Sequence, residues 1–273
     1  MKHAASGAPA GVLVRALSAT ESFLRKTFIL AELEVRKLSH DPTELFSRAI
    51  QPALWLLVFG QVFGRFRYHG TGNYQEFIAP GILAQSVLFI AIFYGITIIW
   101  ERDLGLIHKF LVSPTPREAL VLGKALSAGV RALTQAVIVY LLALLAHVHL
   151  NWNPLALLGV MTVCILGAAC FSTFSLCIAC LVKTRERFMG IGQMMTMPLF
   201  FASNAIYPIN LMPPWLRGVA QVNPLTYEVD ALRGMMLAAP SVQPHLLLDF
   251  AVLVGFTTLL VLVGAQLYKG VAT

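Results

Sequence analysis

The sequence predicts an all-helical membrane protein. It has six transmembrane helices, an N-terminal amphipathic helix lying in the interface, a short cytoplasmic helix after the second span, and a re-entrant external helical hairpin before the sixth. Three observations carry this. Of 273 residues, 58% are hydrophobic and only 12% charged, against ~25% charged in a soluble domain. Six apolar runs reach the roughly 20 residues that a spanning helix needs. Those runs are too long for barrel strands, and backbone groups in lipid must be satisfied internally, so a helical bundle follows.

The elements follow in chain order. Residues 1–20 read as a flexible cytoplasmic tail, because Pro9, Gly11 and Arg15 interrupt any apolar core a signal peptide would need. Residues 21–41 read as the interfacial helix. Phe28, Ala31, Val35 and Leu38 share one face, and Glu32 and Arg36 pair at i, i+4 on another. Asp41-Pro42 turns the chain into the transmembrane domain, 42–273. Its spans are expected at 45–64, 77–100, 119–145, 155–182, 188–207 and 246–268. The external stretch 208–244 is too apolar for a free loop and too short for a domain. Asn223-Pro224 reads as the cap and first turn of its second half-helix.

Basic residues orient the bundle. Of the 20 Lys and Arg, only Arg65, Arg67, Arg217 and Arg233 fall on one side, and Arg131 lies inside the third span. The rest cluster on the other side, which places both termini and the segment 101–118 in the cytoplasm. The net charge of +7 then belongs to topology and anionic headgroups rather than to nucleic acid.

Several chemistries find no support. There is no G-x-x-x-x-G-K-[ST], so the chain does not cradle ATP itself, and neither H-E-x-x-H nor G-x-S-x-G occurs. The four cysteines fall in one apolar run, and Cys177-x-x-Cys180 reads as packing rather than as a metal or redox pair. His147 and His149 read as interfacial. The span interiors are nearly bare of charge, with Arg131 and Asp249 as exceptions, so energy for transport must come from elsewhere.

The segment 101–118 offers the place. Ser113-Pro114-Thr115-Pro116 breaks a short helix over 103–111, whose Leu104, Ile107, His108 and Leu111 share a face. A short helix held between two long spans can transmit a push from a docked partner. The alternative is a solvated loop.

The chain resembles the permease subunit of the type-2 ABC exporters, in particular the drug-resistance and lipo-oligosaccharide export branch. Three stretches carry the resemblance. Glu101-Arg102-Asp103 leads into Lys109-Phe110-Leu111-Val112-Ser113-Pro114 and Val121-Leu122-Gly123-Lys124. Lys183-Thr184-Arg185-Glu186 precedes the fifth span. Pro208 to Trp215 is followed by Asn223-Pro224-Leu225-Thr226-Tyr227 and Arg233-Gly234.

The resemblance implies a half-transporter: two permease copies as a homodimer, with two separate ATPase subunits that hold ATP and Mg while this chain holds no cofactor. The chain would then be no enzyme itself. ATPase coupling would fall to Glu32, Arg36, Glu101, Arg102, Asp103, Lys109, Phe110, Ser113, Pro114 and Arg117. Asn223, Pro224 and Tyr227 would shape an outer gate. Transport would be by alternating access, with the first and fifth spans of the two copies parting and closing. Gly60-x-x-x-Gly64 permits close packing at that interface or within one copy. Met194 and Met197, among the methionines and aromatics of the fifth span, suit an amphiphilic drug, lipid or glycolipid, or simply lipid contact. The expected location is the cytoplasmic (inner) membrane of a bacterium or archaeon. A polysaccharide-exporting permease, an ATP-independent transporter or channel, and a lipid-acting enzyme using Glu228 or Asp230 with Arg233 are the other readings.

Overall fold

The computed structural model describes residues 42–64, 74–104, 117–182, 184–238 and 245–267. The expected tail, the interfacial helix, residues 105–116 of the cytoplasmic segment and residues 239–244 of the external stretch lie outside the described residues. Those described are nearly all helical. No strand occurs among them, only one isolated antiparallel bridge between Leu150 and Leu237.

The first helix comes in three consecutive pieces: α1 (Pro42–Ala53), a π-helical segment (Leu54–Phe59) and α2 (Gly60–Gly64). Pro42 fits the first turn, where its missing N–H would have no partner anyway. Pro52 lies near the end of α1 and takes a donor out of the ladder, and the wide π turns begin just after it. The second predicted span is divided at Gly95 into α3 (Tyr74–Tyr94) and α4 (Ile96–Asp103). At that break the Ser175 hydroxyl donates to the Ile92 carbonyl.

Next come α5 (Arg117–Leu145) and α6 (Pro154–Leu181), joined by a tight turn in which His147 adopts a left-handed φ of 57°. Asn153 caps α6, its Oδ1 accepting from the Leu155 N–H at 3.0 Å, with Pro154 in the first turn. The chain continues as α7 (Arg185–Phe201), a 3₁₀ turn (Ile209–Leu211), α8 (Pro214–Val222), α9 (Pro224–Met236) and α10 (Leu246–Leu267). Among the described residues four helices are long and apolar enough to cross a membrane: α3, α5 from Gly123 onward, α6 and α10.

The fifth run was expected to stay helical to residue 207, but α7 stops at Phe201. Side chains take the carbonyls that a further turn would need. The Ser203 hydroxyl donates to the Phe200 carbonyl at 2.7 Å, and Asn223 Nδ2 donates to Leu199 at 2.7 Å and Ala202 at 3.2 Å. Such local competition ends helices.

α6 lies at the centre and packs against α3, α5, α9 and α10, while α3 also packs on α5 and α9. The main core includes Ile82, Leu83, Leu88, Val163, Phe171 and Leu232, all buried. α3 approaches the stretch after α7 so closely that a Cβ on Gly81 would overlap the Ala205 backbone. A second cluster, Ile99, Leu176, Ala179, Phe188 and Val261, joins α4, α6, α7 and α10 at the opposite end of the bundle.

Candidate functional site

Three features gather where α7 ends and α8 and α9 begin. The first is an apolar groove of about 830 Å³ between α7 and α8. Met194, Pro198 and Leu199 form one wall, Trp215, Val219 and Val222 the other, and Asn223-Pro224 the end. α8 is strongly two-sided: Ala220 is buried, whereas Trp215 is 71% exposed and Val222 68%. Met194, across the groove, is 69% exposed. Large apolar side chains left this open mark a contact surface for lipid, substrate or protein.

The second feature is a joint made by Asn223. Its Oδ1 caps α9 by accepting from the Leu225 N–H at 3.0 Å, while its Nδ2 donates to the last carbonyls of α7. One buried side chain thus ties the end of α7 to the start of α9. Tyr227 braces the same corner, its hydroxyl donating to the Gln221 carbonyl at 2.6 Å.

The third feature is a polar cluster on α9. The Arg233 guanidinium lies 4.2 Å from the centre of the Phe77 ring. It donates to the Asn204 carbonyl at 3.0 Å and to Asp230 Oδ1 at 3.1 Å. Asn204 Nδ2 also donates to Asp230, at 2.6 Å. Burial pushes the Asp230 carboxyl up, opposed by the Arg233 charge. A pocket of about 290 Å³ opens beside it, lined by Phe77, Pro208 and Ile209 together with Asn204, Asn210, Asp230 and Arg233. Glu228 is separate from this cluster. It is fully buried on the face of α9 toward α6, and burial pushes its carboxyl well above the usual range.

The structure brings Met194, Asn223, Pro224 and Tyr227 together around one corner. Met197, on the same helix, is 37% exposed and lies outside the groove lining. Gly60 faces into the chain, where a Cβ would stand 3.0 Å from Gln75 Cγ, while Gly64 is exposed. At the other end of the bundle, Glu101, Arg102 and Asp103 close α4 and Arg117 opens α5. Glu32, Arg36, Lys109, Phe110, Ser113 and Pro114 lie outside the described residues. Just above, Arg185 at the start of α7 stacks on Trp100 of α4 at 5.1 Å.

Elsewhere, Arg131 lies halfway along α5 with its guanidinium 5.1 Å from the Tyr94 ring. His149 Nδ1 is 2.7 Å from Glu76 Oε1, fastening the α5–α6 turn to the start of α3. The four cysteines form no disulfide, and no metal-holding group of His, Cys, Asp and Glu occurs among the described residues. Sequence reasoning missed Asn204 and Trp215 as parts of this corner. The signal for Asn204 was present: Ser203-Asn204 interrupts the fifth apolar run just before Pro208.

The sequence pattern described as "ABC-2 type transporter" matches residues 25–237. The chain belongs to the ABC-2 type transporter family. Two similar proteins are the daunorubicin resistance ABC transporter permease protein DrrB1 of Streptomyces coeruleorubidus and the inner membrane transport permease YadH of Escherichia coli. The first is 26% identical over 83% of this chain and 82% of its own. The second is 28% identical over 76% of this chain and 80% of its own. As an ABC-2 protein the chain is the transmembrane permease of an ABC exporter, multi-pass, and works with an ATPase partner.

Proposed function

We propose that the chain forms half of the membrane part of an exporter in which two copies stand over two ATPase subunits. It moves an amphiphilic drug, lipid or glycolipid outward from the cytoplasm or inner leaflet. The observation that carries this is the α7–α8 groove, apolar, broad and open, with the Asn223 joint at its end. A groove lined by methionine and tryptophan adapts to varied apolar shapes, and an opening to the side admits a molecule from the bilayer. The name of the Streptomyces relative, a drug-resistance permease, supports the same substrate class.

Six spans result when the first helix and α7 join the four longer ones. The basic-residue asymmetry puts both termini and residues 101–118 in the cytoplasm, with α8 and α9 as the external hairpin of 208–244. ATP and Mg belong to the ATPase. Residues 101–118 dock there, with Glu32 and Arg36 of the interfacial helix beside them.

The packing supports a mechanical route. A push on the docked segment reaches α4 directly. α4 contacts α7 through Ile99 with Phe188, and through Trp100 with Arg185. α7 ends on Asn223, which also begins α9. Closure of the ATPases thus displaces α7 and, through one side chain, the external helix that borders the groove. Opening and closing this corner in two facing copies is alternating access.

The test is a gentle pull-down of the tagged chain from its own membranes, followed by mass spectrometry and transport assays. A stoichiometric ATPase is expected, retained by the wild type and lost in Phe110→Asp. Transport in liposomes with no ATPase present would overturn the reading in favour of a secondary transporter or channel.

A further inference from the structure

Glu228 is the least expected residue in the bundle. It lies on the buried face of α9 beside Leu225, Val229 and Leu232, with none of its surface exposed. Its carboxyl rests directly on Gly167 of α6, where any Cβ would overlap it. Among the described residues neither carboxyl oxygen has a hydrogen-bond partner. The cation on its own helix is committed elsewhere, since Arg233 is held by Asp230, Asn204 and the Phe77 ring.

The helices packed on α9 supply no charge to balance it. From α6 the titratable groups that face it are the thiols of Cys164 and Cys170. Asp249, at the start of α10, lies toward Asp230 and His245 instead. Glu76, at the start of α3, is paired with His149. A lone ionised carboxylate sealed in apolar surroundings is strongly disfavoured, and such a group takes up a proton instead.

We propose that Glu228 is a proton-binding site of the external gate, protonated while α9 is seated on α6 and deprotonated when the helix lifts into contact with external water. The lifting step rests on the reading of α9 as part of that gate; the bound proton does not. One proton leaves to the external solution and one carboxylate charge remains, which opposes reseating. The sign follows from linkage. Burial holds the proton on the seated carboxyl well above the pH, about 4.3, at which a water-exposed one loses it. Between those limits, each unit of external pH favours the lifted helix by up to about tenfold.

The experiment uses the permease with its ATPase in lipid, reading the infrared carbonyl stretch of neutral carboxylic acids. The wild type should show a band that Glu228→Gln lacks. Gly167→Ala puts a methyl group where the carboxyl rests and should convert that band to a carboxylate signal. The absence of a band dependent on Glu228 would overturn the site whether or not the chain is an exporter. In proteoliposomes with the external face inward, ATP-driven transport of a fluorescent amphiphile should rise several-fold as lumen pH goes from about 6 to about 8. Glu228→Gln should be flat. A flat wild-type profile, or an unchanged slope in Glu228→Gln, would overturn the release step. Loss of all ATP-dependent transport in the wild type would count against the exporter reading, and the infrared band would still decide the site.

Discussion

α3 and α10 are both apolar enough to cross a membrane, yet they occupy opposite positions. Over the spanning stretch, 78% of α3 is buried within the protein and 17% of α10. α3 carries Pro80, Gly81, Gln85 and Ser86 in its interior, all buried. α10 exposes Leu248, Val254, Leu259 and Leu262. In water the more apolar helix goes inside. In lipid the solvent is itself apolar, so hydropathy no longer sorts inside from outside. Small and polar residues do that instead, because they need partners or permit close approach.

Substitutions on the two helices can break or sharpen this contrast. Gly81→Leu should have the largest effect. Its side chain has no room against the Ala205 backbone, and relief would require α3 and the segment after α7 to separate. Loss of the monodisperse peak on detergent size-exclusion chromatography is expected; a normal peak would show that the approach is not tight.

The matched pair Ile82→Ala and Leu259→Ala comes next. Ile82 is fully buried and Leu259 is 57% exposed. Truncating a buried Ile costs about 2–5 kcal/mol, whereas a residue facing the bilayer should change stability by no more than about 0.5 kcal/mol. Thermal unfolding in lipid nanodiscs measures both, and equal shifts would erase the contrast.

Asn223→Ala should cost less stability than Ile82→Ala, at about 1–2 kcal/mol for a lost helix cap. Transport should fall far more than stability, because the joint between α7 and α9 is gone. Transport retained in proportion to folded protein would leave Asn223 a structural cap alone.

Helix existence was legible in the sequence, and helix faces were not. The third and fourth runs, 119–145 and 155–182, match α5 and α6 to within two residues, and Asn223-Pro224 does begin α9. Apolar length and capping chemistry are local, so sequence displays them. The early end of α7 depends in part on the local Ser203, which the sequence does show, and in part on Asn223, more than twenty residues away, which no local pattern announces. The break at Gly95 likewise depends on Ser175 of another helix. Glu228 reads in the sequence as an outer-face acid that could pair with Arg233, and only the contact with Gly167 shows it sealed inside. Met194 and Asn223 of the groove, and Tyr227 beside it, were individually visible, but their meeting at one corner is a product of the fold.

The π segment at Leu54–Phe59 gives the first helix a property that length does not capture. Below it, the Arg48 carbonyl accepts from Gln135 of α5; above it, Gly60 faces Gln75 of α3. The two halves are set in phase with different neighbours by wide turns between them. In a regular helix each residue advances the winding by about 100°. A π turn holds one residue more than an α turn for about the same winding, so deleting one residue between 54 and 59 would let the stretch rewind as α-helix with Gly60 still facing Gln75 and Arg48 in place. The stretch thus holds one residue in reserve: the ladder absorbs its loss, whereas an insertion or deletion in the regular winding of a neighbouring helix turns a whole face.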